Sequence, residues 1–95
     1  MHALFVEVDA PQGVPLEVAR EVINRDAVPT LTAAGAKAGY WLAPQDGRVV
    51  CLVLFDDEVA ATEQASRLSV GDRPDGAPDG VAFRTADVRE VLVQL

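Results

Sequence analysis

Ninety-five residues leave room for one hydrophobic core, and a hydrophobic content of 49%, high for this length, predicts a single soluble globular domain with some apolar surface to spare. Fifteen acidic against eight basic side chains give a net charge of −7, and with no basic run the composition speaks against nucleic acid or an anionic membrane as a partner. One cysteine excludes an internal disulfide and fits a reducing compartment; the start MHALFVEVDA lacks the charged region of a signal peptide, and no apolar run approaches the ~20 residues of a spanning helix, so a cytoplasmic location is expected.

In chain order, Ala3 to Val8 alternates as a strand, with Leu4, Val6 and Val8 on one face and Phe5 on the other. The run DAPQGVP turns the chain, and Pro15 suits the first position of a helix. Leu16, Ala19, Ile23 and Ala27 recur at helical spacing, with Glu17, Arg20, Glu21, Asn24 and Arg25 opposite. Pro29 has no amide donor and interrupts or kinks this helix, whose last turn runs through Leu31 and ends near Gly35. Lys37 to Ala43 is then the first arm of a hairpin, turned by Gln45-Asp46-Gly47-Arg48, and Pro44 places that arm at a sheet edge.

The second arm, Val49 to Phe55, is apolar without a break, so it needs cover on both faces. Val49, Cys51, Val53 and Phe55 share one side; Val50, Leu52 and Leu54 share the other. Asp56 or Asp57 caps a second helix reaching about Leu68. Gly71 to Gly80, made of turn formers and acidic residues, reads as a mobile loop, and Val81 to Leu95 as one long or bent final strand.

The order strand, helix, strand, strand, helix, strand is the split βαβ pattern of an α+β ferredoxin-like sandwich: a four-stranded antiparallel sheet with both helices on one face, in strand order 4-1-3-2. The helices cover only one face. Each Val or Leu left wet on the other forfeits about 1.5 to 3 kcal/mol, so a second copy of the chain, pairing through the sheet into a dimeric α/β barrel, is the expected cover.

The element order, the block GYWLAPQDGR with the apolar strand after it, and FDDEVAA resemble small proteins of the dimeric α+β barrel superfamily, close to the antibiotic-biosynthesis monooxygenase type. The resemblance implies the fold and a homodimer over nearly the whole chain, and, for activity, cofactor-free oxygenation of a small aromatic. The haem-degrading branch of that superfamily takes an iron ligand from a histidine of its second helix. The corresponding stretch here, DEVAATEQASRL, has none.

Tyr40 and Trp41 are adjacent in a strand, so one faces the helices and any pocket there while the other faces a partner subunit. A two-residue Asp46-Gly47 turn, taken alone, puts Tyr40 on the side of Cys51 and Val53, and Trp41 with Leu52 and Leu54. Packing is the ordinary role of both; a substrate ring is the alternative. Arg84, in the last strand, is ordinarily read as an exposed strand arginine; holding an anionic group near a strand-lined cavity is the alternative. Cys51, mid-strand with no histidine near it in sequence, reads as inert packing, and His2 as a solvated chain end. No metal-ligand spacing, glycine-rich phosphate loop or serine elbow is present, so no cofactor is expected: no metal, haem, flavin or nicotinamide. Two functions follow: a cofactor-independent monooxygenase-like enzyme, with the site among Tyr40, Trp41 and Arg84, or a non-catalytic module that binds a ligand or a partner.

Overall fold

The apolar run Val49 to Phe55 lies inside the sheet, as its two-sided pattern requires. The computed structural model describes residues 1–11, 15–74 and 76–95. Strands β1 (His2–Asp9), β2 (Ala36–Trp41), β3 (Arg48–Phe55) and β4 (Ala82–Glu90) form one antiparallel sheet in the order β2-β3-β1-β4. Three helical segments accompany it: α1 (Leu16–Val22), α2 (Val28–Ala33) and α3 (Glu58–Ser66). The fold is the expected α+β ferredoxin-like sandwich, with the Pro44 arm at one edge. No helix among the described residues is long and apolar enough to cross a membrane.

The core lies between the sheet and α3. Leu4 and Val6 of β1, Cys51, Val53 and Phe55 of β3, and Ala61 of α3 are buried together, and Leu4, Val53 and Phe55 are the largest side chains sealed from solvent. Asp57 starts α3 by accepting a hydrogen bond from the Val59 amide at 2.9 Å, which satisfies one of the free donors of the first turn.

The first helix runs without a break from Leu16 to Ala33, but through a π segment, Ile23–Ala27, that joins α1 to α2. Pro29 explains its place: the ring clashes with the carbonyl four residues back and offers no N–H, so the helix widens in the preceding turn, where the Val28 amide reaches back to the Ile23 carbonyl. Gly35 then ends the helix region with φ +101°, a conformation that favours glycine.

This helix docks differently from the expectation set by its apolar stripe. Only its end reaches the core, through Leu31 and Ala34, while Leu16 is exposed. No Cα of α1 comes within 8 Å of a strand Cα, and α2 and α3 likewise stand apart by that measure. The helix layer is therefore open between α2 and α3.

The final strand stops at Glu90, short of the expected Leu95. β1 is its sole partner and runs out at His2 opposite Glu90; one further bond, Val91 N–H to the Met1 carbonyl at 2.9 Å, closes the pairing. Leu92, Val93 and Leu95 beyond it are exposed. The Gly71 to Gly80 stretch is tied to the sheet where it begins: the Gly71 amide donates to the Phe83 carbonyl at 2.8 Å, and the Phe83 amide to Asp72 at 2.9 Å. Two sequence expectations, the turn through Gln12, Gly13 and Val14 and the loop at Asp75, fall on positions outside the described residues.

Candidate functional site: the open face of the sheet

Strand register sorts the side chains into two faces. On the helix side, Trp41, Cys51, Val6 and Ala86 make one row across all four strands, and Gly39, Val53, Leu4 and Val88 the next. On the open side the rows are Tyr40, Leu52, Phe5 and Asp87, then Ala38, Leu54, Ala3 and Arg89. The centre of the open face is thus apolar, with Leu54 and Ala3 already buried and Tyr40 56% exposed.

The Asp46-Gly47 turn forms as expected. Asp46 has φ +55° and Gly47 φ +74°, and Gln45 and Arg48 exchange both backbone hydrogen bonds at 3.0 and 3.1 Å. Yet the faces of Tyr40 and Trp41 are the reverse of those this turn sets alone. Between the Gln45/Arg48 pair and the bond from the Leu42 amide to the Val50 carbonyl, the first arm spends one residue more than the second. Pro44 sits in that excess, where a residue without a donor costs no ladder bond. The extra residue turns Trp41 towards the core and Tyr40 outward. A second register shift lies between Ala36 and Ala38. The Trp41 ring lies over Gly39, where a Cβ would come within 2.9 Å of it, so the glycine vacates the space the indole fills.

One end of the open face is polar. Glu7 interrupts the apolar β1 there, and its carboxylate accepts from Arg48 Nη1 at 3.4 Å and from Thr85 Oγ1 at 3.2 Å. Arg84 pairs with Asp9 at 3.4 Å beside a register shift in the β1–β4 ladder. Arg89 binds Asp87 at 2.8 Å on β4. A cleft of about 430 Å³ lies against this polar end, lined by Glu7, Leu42, Arg48 and Val50 among others.

The structure does not bring the three sequence-predicted site residues together. Tyr40 and Trp41 point to opposite faces, Arg84 spends its charge on Asp9 near the surface, and none of the three lines this cleft or the one between the helices. Glu7, Arg48 and Thr85 were not singled out from sequence, although a glutamate inside ALFVEV was a visible signal. Cys51 is buried, and burial pushes its thiol up to about 12, so it stays protonated and unreactive. His2 is not a solvated end: it belongs to β1, its Nε2 lies 3.6 Å from Glu58, and its Nδ1 is buried without a partner. No group of three possible metal ligands occurs among the described residues.

No family model, curated protein or solved structure matches the chain.

Proposed function

We propose that the protein is a non-catalytic homodimeric module whose two copies pair through the open face of the sheet. The observation that carries this reading is the apolar centre of that face, Phe5, Tyr40, Val50 and Leu52, bounded by charges that already have partners. A stable interface has this anatomy, an apolar middle within a polar rim, and pre-paired charges lower the cost of covering the rim.

Area supports the same reading. Four strands about 4.8 Å apart, each about eight residues long, project roughly 500 Å² before side-chain relief is counted, of the order of the ~800 Å² per partner in a standard interface. A two-fold axis normal to the face lets one patch serve both copies and closes the assembly at two.

Two features weigh for a module over a cofactor-free oxygenase. That chemistry needs a dry pocket to hold the ring of the substrate, whereas the space between sheet and helices beneath Trp41 is filled by Leu4, Val6, Val53 and Phe55. The aromatic residues that would grip such a ring lie on opposite sides of the sheet.

Light scattering coupled to size exclusion at micromolar protein tests the assembly, with twice 10.1 kDa expected and a clean 10.1 kDa species overturning it. Oxygen uptake with anthrone-like and quinol substrates tests the chemistry. Turnover by the purified protein would replace the module with the enzyme.

A further inference from the structure

The gap between α2 and α3 is a cleft of about 440 Å³ lined by Thr30, Ala33 and Ala34 on one side and Ala60, Glu63, Gln64 and Arg67 on the other. Its size falls within the range of small-molecule sites, and three alanine methyls keep the space open where larger side chains would fill it. At its wall, Gln64 is only 7% exposed, the one buried polar side chain of the described residues. Its carboxamide takes part in no hydrogen bond to another described residue. The side-chain atoms buried without a partner among the described residues are His2 Nδ1 and Arg48 Nε, so the Gln64 carboxamide, with two donors and an acceptor, is not sealed and reaches the solvent of the cleft. Facing a cleft, it is a ready partner for something that enters.

The charges at the same cleft give the chemistry of that partner. Glu63 and Arg67 are one turn apart on α3 in the order that favours an ion pair, yet no bridge within 4 Å joins them, and Arg67 has no other carboxylate partner among the described residues. An acid and a base thus stand side by side with their charges unspent. Across the cleft, the Thr30 hydroxyl donates to the Asp26 carbonyl at 2.9 Å, which leaves its oxygen free to accept.

We infer that this cleft binds a small zwitterion, an amino acid or a compact relative carrying both a carboxylate and an ammonium group. The Arg67 guanidinium takes the carboxylate, the Glu63 carboxylate and Thr30 oxygen take the ammonium, and Gln64 hydrogen-bonds either group from the wall of the cleft. The site is on the helix layer, opposite the face proposed for pairing, so it stands whether or not the chain dimerises.

The test is an NMR titration of the full chain with the common amino acids, each compared with its deaminated and decarboxylated analogue. At least one amino acid should shift the Thr30, Ala60 and Gln64 amides saturably at low-millimolar concentration, and each analogue should bind about tenfold more weakly or less. Arg67→Gln, an exposed change that leaves the fold intact, should weaken the zwitterion to the level of its decarboxylated analogue, and Ala60→Leu should block the cleft. Absence of saturable shifts with every amino acid, equal binding of zwitterion and analogues, or binding indifferent to Arg67→Gln would overturn the assignment. Shifts at the cleft that depend on protein concentration in place of added ligand would also overturn it, because they would mark the cleft as a contact between copies of the chain.

Discussion

Trp41 lies directly opposite Cys51 on the neighbouring strand, one residue out of the register that the Asp46-Gly47 turn alone would set. This offset decides which aromatic residue completes the core and which is left on the open face. It arises in the short stretch from Leu42 to Pro44 at the sheet edge, where an extra residue disturbs only one ladder.

Gly39 should be sensitive to any added side chain because the indole occupies its place. Gly39→Ala puts a methyl within 2.9 Å of the Trp41 ring, and displacing the ring should cost about 1 kcal/mol. The chain has a single tryptophan, so its emission reports the event directly. A red-shifted spectrum with a lowered urea midpoint is expected; unchanged emission would mean that the ring does not pack there.

Residues on the open face should separate assembly from folding. Leu42 is 59% exposed, so Leu42→Asp should change the stability of a single copy by no more than about 0.5 kcal/mol, while placing a charge in the proposed interface and shifting the protein to a monomer. Leu54 is 7% exposed, and Leu54→Asp strands its charge in an apolar layer, costing about 3 kcal/mol or more of fold stability. Denaturant melts and light scattering on both variants give the comparison. A dimeric Leu42→Asp protein would place the interface elsewhere.

Cys51 sets an alkaline limit to stability. Its folded pKa, raised to about 12 by burial, lies above the ~8.5 of an exposed thiol, so above that value the unfolded chain releases a proton that the folded chain retains. The contribution is whole below pH ~8.5 and is lost as pH rises towards 12, by at most ~1.4 kcal/mol per pH unit. Urea midpoints at pH 8 and pH 10.5 should fall more steeply for the wild type than for Cys51→Ala, the difference isolating the thiol from other groups that titrate there. A thiol reagent at pH 8 should label the protein only after denaturation.

The cap of α3 should be worth about 1 kcal/mol. Asp57→Ala removes the acceptor for the Val59 amide and leaves that donor in the first turn without its partner. A urea midpoint lowered by that amount is expected, with Asp57→Ser recovering most of it because a hydroxyl also accepts at this position. Equal stability of the two variants would mean that water replaces the bond at no cost.

Much of the architecture was legible in residue order. The unbroken run Val49 to Phe55 required a central strand, Pro44 an edge, Asp46-Gly47 a hairpin turn and Asp56 or Asp57 a helix start, each because a local steric or hydrogen-bonding property permits few alternatives. Together these dictated the ferredoxin-like order of strands and left one sheet face bare. The tertiary structure decided what local patterns do not encode. A one-residue excess before the turn exchanged the faces of Tyr40 and Trp41, since strand facing has a period of two and one insertion inverts it. The strand predicted through Leu95 ended at Glu90, because an apolar pattern makes a strand only while a neighbouring backbone remains to pair with it. The stripe of the first helix held no information on how closely α2 would approach α3, and it is their separation that leaves Gln64 facing a cleft, a residue that sequence alone reads as one more polar position on a solvated helix.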